Sequence, residues 1–172
     1  VFASTVPSKY SMYAAIAAQC SSNNPTSRYC KYASHGTTIP ARFTSDGRDV
    51  NPPLQISNVP TAAKSLVLVV DDPDAPAGTW NHWLLWNIAP DTASIEEGCP
   101  PPAATAGKND FGSTAYRGPA PPSGTHRYYF RLFALDARLD MPVGSSRAQL
   151  EGAMKGHIIA SAWLMGRYKR GR

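Results

Sequence analysis

A mostly β fold is predicted by three features of the 172-residue chain. First, Leu66 to Val70 is a continuous apolar run, short enough for a strand buried on both faces, and it stops abruptly at Asp71-Asp72-Pro73-Asp74-Ala75-Pro76. Second, three later stretches have strand length and period: Trp80 to Ile88, His126 to Leu135 and Ile158 to Tyr168. Third, 16 prolines and 13 glycines cut the chain into short segments, which suits many turns better than a helical bundle. At this length the chain is expected to form one domain with a real core. No segment approaches the roughly 20 apolar residues of a membrane-spanning helix.

Residues 1–35 read as an N-terminal extension packed on the domain that occupies 36–172. Within it, Tyr10, Tyr13, Ala14 and Ala17 have helical spacing, so a short helix is expected over Lys9 to Gln19. Ile39 to Thr44 reads as a short strand and Leu54 to Ile56 as another. In Trp80 to Ile88, simple alternation puts Trp80, His82, Leu84, Trp86 and Ile88 on one face. Both faces are largely apolar, as a central strand requires. Ala89 to Pro122 is a long, weakly periodic Gly/Pro-rich loop, of a length that in a compact domain is functional or pinned across a surface. In the next strand His126, Tyr128, Phe130, Leu132 and Ala134 share a face. Ser146 and Gln149 form a capping-box pair for a helix from about Arg147 to Gly156, with Leu150, Ala153, Met154 and His157 on its buried stripe. The last strand alternates, with Trp163 and Met165 on the Ile159 face.

Charge restricts the partners. The net charge is +5, from 17 basic and 12 acidic residues. That favours anions but is too small and too scattered to indicate nucleic acid, and the basic end (Arg167, Lys169, Arg170, Arg172) reads as a solvated tail. Cys20 and Cys30 flank a polar loop that could close as a short disulfide, with three unrelated thiols in a reducing compartment as the alternative. With the small residues at Val1 and Ala3, the disulfide favours a secreted or periplasmic protein over a cytoplasmic one.

Three strands deliver polar groups near an end. The first carries Asp72 and Asp74, the second His82, and the third His126 and Tyr128. If the strands are neighbours, these groups meet in one pocket walled by the proline-rich loop before His126. Histidine and tyrosine donate to phosphate or carboxylate oxygens, and backbone N–H groups of a Gly/Pro turn add an anion nest. Asp72 can accept from a histidine and fix its tautomer. Asp71 and Asp74 are expected to hold the turn. No metal site is expected: cysteine pairs at zinc spacing and a His-Glu-x-x-His helix are both missing. A P-loop, a dinucleotide fingerprint and a nucleophile elbow are also missing, so no cofactor and no enzymatic activity are expected.

Taken in order, DDPDAP, WNHWLLWNI and GPAPPSGTHRYYFRLFAL resemble the phosphatidylethanolamine-binding protein family, in particular its bacterial and archaeal Raf-kinase-inhibitor-like branch. IPARFTSDGRDVNPPLQISNVP and GHIIASAWLMGRYKR extend the resemblance to about residues 36–170. It implies a large central, antiparallel-dominated sheet, a smaller second sheet and a few peripheral helices. It also implies a small anion pocket that takes phosphate-bearing groups such as a phosphoethanolamine head group. Carried over by motif, the pocket residues are Asp72, His82, His126 and Tyr128, with Pro122 and the backbone N–H of Ala120 as its loop wall, and Ala75-Pro76 is a candidate cis bond. Asn81 stands where animal relatives have a second histidine, and Ser45 and Ala120 where many bacterial relatives have cysteine.

The expected function is therefore a non-enzymatic binding or regulatory protein. Its pocket would take a small anionic, phosphate-bearing ligand or an acidic group of a protein partner, and binding would strengthen on mild acidification as histidine protonates. A protease-inhibitor or other interaction module acting through loops is the second reading. A hydrolase using Asp72 and His82 is the third.

Overall fold

The computed structural model of the protein describes residues 13–15 and 35–171. Its strands are β1 (Tyr13–Ala15), β2 (Leu54–Ser57), β3 (Ser65–Asp72), β4 (Trp80–Ile88), β5 (Ser94–Ile95), β6 (Thr105–Ala106), β7 (His126–Leu135) and β8 (Ile158–Tyr168). Among the described residues the α-helix is α1 (Arg147–Met154), which precedes β8. The fold is mostly β. Five strands form the main sheet in the order β6-β4-β3-β7-β8, and β1-β2-β5 form a smaller one; every named strand pair is antiparallel. Among the described residues no helix is long and apolar enough to cross a membrane.

β3 lies at the centre because its sequence permits nothing else: all eight of its residues are buried. Leu66, Leu68 and Val70 point into an inner core between the sheets, with Phe43, Leu54, Ile56, Trp83, Phe130 and Leu132. Val67 and Val69 point the other way, into an outer core that α1 covers with Leu150 and Met154. Ser146 caps the helix as expected, in a reciprocal capping box with Gln149.

Two bulges in β4 decide which way its side chains face. Val70 pairs with Trp83 but Asp71 pairs with Asn81, so His82 is an extra residue in the ladder. The bulge turns His82 onto the inner face beside Trp83, not onto the face of Leu84 and Trp86 that simple alternation predicts. A second extra residue near the other end leaves Asn87 in the left-handed region at φ 56°. Its amide repays this by bonding both backbone groups of Leu139, at 2.8 and 2.9 Å. In β8 a similar shift places Ile159 on the inner core and away from Trp163, which is exposed.

Other expectations need correction. Ile39 to Thr44 is not a strand: Pro40 starts a 3-10 turn at Ala41–Phe43, closed by Phe43 N–H and Thr44 N–H on the carbonyls of Pro40 and Ala41. Of the helix expected over Lys9 to Gln19, the described residues Tyr13–Ala15 are a strand paired with β2. The rest of that stretch, with Cys20 and Cys30, lies outside the described residues. The described part of the chain has no cis peptide bond, so Ala75-Pro76 is trans. α1 ends at Met154, and His157 is exposed and paired with Asp136 rather than buried.

Candidate functional site

The inner-face ends of β3, β4 and β7 meet at one edge of the main sheet. Because β3 pairs with both neighbours, Asp72 and Tyr128 lie on adjacent strands and the bulge brings His82 to the same face. Asp72, His82, His126 and Tyr128 are each buried to 7% exposure or less. The four side chains singled out in the sequence therefore do come together.

Their hydrogen bonds fix their chemistry. One Asp72 oxygen accepts from the Asp74 N–H at 2.8 Å, and the other is 2.7 Å from Nδ1 of His126. A carboxylate only accepts, so His126 donates from Nδ1 and leaves Nε2 as its remaining polar atom. Nδ1 of His82 lies 2.6 Å from the carbonyl of Arg117. A carbonyl also only accepts, so this nitrogen carries the proton too, and Nε2 presents a lone pair. Burial pushes the His82 pKa below its ordinary value, against the raising effect of the Arg117 bond and of Asp72. Burial thus favours the neutral form of the His82 ring.

Tyr128 is 1% exposed, and its hydroxyl is buried with no hydrogen-bond partner. Burial first, then the Asp72 charge, raises its pKa well above that of free tyrosine, so it stays a protonated donor. The Asp72 carboxylate and the Ala120 N–H both lie close enough to influence the hydroxyl, yet neither completes a bond of good geometry. The rings of His82 and Tyr128 meet edge to face at 5.3 Å, and Phe111, itself 41% exposed, covers the other side of His82 at 5.2 Å. Pro122 is exposed; the buried prolines of that turn are Pro119 and Pro121.

A second loop, not singled out in the sequence, holds the first. Asp49 accepts the Gly118 N–H at 2.6 Å and pairs with the Arg117 guanidinium at 3.3 Å. Ser45 donates from both its N–H and its hydroxyl to the Pro119 carbonyl, and the buried Tyr116 hydroxyl donates to Phe43. Gly118 has to be glycine here, because a Cβ would lie 2.5 Å from the Phe43 oxygen. Asn109 spans the base of the Phe111 loop, donating to the carbonyls of His82 and Ala115 and accepting from Phe111 and Ser113. A lone acid or asparagine in a turn-rich stretch gives no signal of such a role.

Asp71 and Asp74 act differently from each other. Asp71 does not hold the turn. It points to the outer face, fully buried, and accepts from Arg131 at 3.0 Å and Arg147 at 2.8 Å. Asp74 does belong to the turn and forms a two-pronged pair with Arg127 at 2.6 and 2.9 Å, which lowers its pKa from 3.8 to about 2. A depressed carboxyl pKa stabilises the fold above the ordinary value and loses that contribution as pH falls toward the folded one. Stability should therefore decline between about pH 4 and about pH 2 less steeply in Asp74→Asn than in the parent, as read by urea midpoints at each pH.

A separate groove of about 410 Å³, lined by Trp83, Tyr116 and Pro100 to Pro102, contains none of the four clustered side chains. Cys99 is an exposed free thiol. Among the described residues no group of three or more His, Cys, Asp or Glu is placed to hold a metal.

Two antiparallel sheets with a buried Asp-His-His-Tyr cluster at the end of the larger one define a β-sheet protein with a small polar site and a peripheral helix. The chain belongs to the phosphatidylethanolamine-binding protein family, whose model matches residues 31–169. It is 49% identical over 138 residues to a UPF0098 protein of Methanothermobacter thermautotrophicus, covering 77% of this chain and 91% of that one. It is 44% identical over 142 residues to a UPF0098 protein of Chlamydia trachomatis, covering 80% and 94%. Among solved structures it is similar to a putative phosphatidylethanolamine-binding protein homolog, CT736, of Chlamydia trachomatis, with a TM-score of 0.78 and 43% identity over 80% of this chain and 93% of that one. Escherichia coli YbcL, described as a member of the mammalian family, matches with a TM-score of 0.74 and 28% identity, over 80% of this chain and 93% of that one.

Proposed function

We propose that the protein is a binding or regulatory module whose polar cluster takes a small phosphate-bearing ligand or a phosphorylated group of a partner, without breaking a bond in it. The observation that carries this reading is the Tyr128 hydroxyl, a buried donor with no partner in the protein. An unsatisfied buried hydroxyl costs about 1–3 kcal/mol and calls for an acceptor supplied from outside. The Ala120 N–H beside it and Nε2 of His126 supply further contacts, and Asp72 anchors the His126 ring.

The test is a calorimetric titration of inorganic phosphate and of O-phosphoethanolamine into the parent and into Tyr128→Phe. Removing the hydroxyl leaves the ring packing in place, so the variant should be as stable as the parent or slightly more stable. Its phosphate affinity should fall about tenfold or more, the effect of one hydrogen bond to a charged group. Equal affinity in the two proteins would remove Tyr128 from the site. Turnover of phosphate esters that disappears in Asp72→Asn would replace the reading with a hydrolytic one.

A further inference from the structure

The cluster contains acceptors as well as donors, and the acceptors are fixed. Nδ1 of His82 is committed to the Arg117 carbonyl, which leaves Nε2 to offer a ligand a lone pair. The Arg117 N–H in turn donates to the His82 carbonyl at 3.2 Å, so strand and loop hold each other and the ring cannot flip its tautomer without losing a bond. Asp72, within reach of the Tyr128 hydroxyl, is a second acceptor and a negative charge. A ligand that only accepts hydrogen bonds would place its oxygens against both.

We propose that the site selects oxyanions that carry a proton, namely hydrogen phosphate and phosphate monoesters in their singly protonated form, over fully ionised sulfate and over phosphodiesters. This inference rests on the anion-binding reading above and goes beyond it by naming the ligand's protonation state and ester class. The ligand accepts from Tyr128 and Ala120 and donates its own proton to His82 or Asp72. A doubly charged ligand without a proton meets Asp72 as a like charge and leaves the His82 lone pair unpaired. A diester has lost the P–OH that would make the bond.

The groups that face the ligand or His82 and bear on the pH dependence are Asp72 of β3, His126 and Tyr128 of β7, and Asp49 and Arg117 of the two loops, with Asp71 acting on His82 through the sheet from the outer face. Sulfate, whose charge does not change near neutral pH, reports these protein groups alone. The experiment is calorimetric titration of the full chain with inorganic phosphate, methyl phosphate, dimethyl phosphate and sulfate at constant ionic strength, from pH 5.5 to 8. Methyl phosphate should bind at least about tenfold tighter than sulfate and dimethyl phosphate below its second ionisation near pH 6, with the margin shrinking above it, whereas inorganic phosphate, which keeps a P–OH as the dianion, should keep its margin over sulfate to pH 8. In parallel, nitrogen NMR of the His82 ring should show a protonated Nδ1 and an unprotonated Nε2 in the ligand-free protein. Equal affinity for phosphate and sulfate across the pH range would overturn the selectivity while leaving an anion site standing. A His82 ring protonated at Nε2 would also overturn it. No binding of any of the four anions would overturn the anion site and the selectivity together.

Discussion

Asp71→Ala should destabilise the protein by about 3–5 kcal/mol, the cost of breaking a buried charge pair from one side. The carboxylate is fully buried and receives two guanidinium groups, from Arg131 on the neighbouring strand and from Arg147 in the first turn of α1. Arg147 also donates to Asn81 at 2.7 Å, and Asn81 in turn gives its N–H and its amide to Asp110, both at 2.7 Å. Removing Asp71 leaves Arg131 without its carboxylate and Arg147 with Glu151 alone, at 2.7 Å, and it loosens the helix from the sheet. Arg131 and Arg147 keep 32% and 24% side-chain exposure, so some of the lost charge is recovered by water, and the lower end of the range is the better expectation. Asp71→Asn retains two acceptor lone pairs and should lose less. Urea midpoints at unchanged slope check both variants. Since the side chain points away from the Asp72 face, the asparagine variant should keep phosphate affinity within about twofold. A loss of binding as large as the loss in stability would show that the two faces of β3 are coupled.

The misreading of Asp71 shows where sequence inference runs out. Its partners are 60 and 76 positions away, and nothing local separates a turn acid from one facing two arginines across a sheet. The strands were legible because burial writes itself into composition. Leu66 to Val70 could only be central, and the alternation from His126 to Leu135 correctly put His126 and Tyr128 on one face. The capping box was legible because all of its parts lie within four residues. The bulge at His82 was not. Strict alternation sends that ring to the outer core with Leu84 and Trp86, and only a two-against-one pairing with β3 brings it round. Placing His82 in the cluster thus rested on its position near a strand end and on the family resemblance, not on the face that periodicity gave it. The Ser45 and Asp49 contacts were invisible for the same reason as those of Asp71, since they join loops 74 and 69 residues apart.

Asp49→Ala should lower phosphate affinity by about tenfold to a hundredfold while costing only about 1–2 kcal/mol of stability. Asp49 touches none of the clustered side chains; it is a positioning residue. Its carboxylate holds the Gly118 N–H and the Arg117 guanidinium, and these flank the carbonyl that sets the His82 tautomer and precede the Ala120 N–H beside Tyr128. Its backbone sits in the left-handed region at φ 56°, where asparagine and aspartate are tolerated better than alanine. Asp49→Asn should therefore restore most of the affinity: it tolerates the backbone, and its amide oxygen can still accept from Gly118. The sign of charge then separates two roles. If Asp49 acts by geometry, the asparagine variant recovers binding. If it acts by neutralising Arg117, that variant gains a guanidinium near the site and binds phosphate more tightly than the parent. An alanine variant that bound phosphate as well as the parent would mean that Ser45 and the tight seat of Gly118 suffice to hold the loop. The His82 ring gives a readout that stability alone cannot move, because in Asp49→Ala it should populate both tautomers once the Arg117 carbonyl is no longer held at Nδ1.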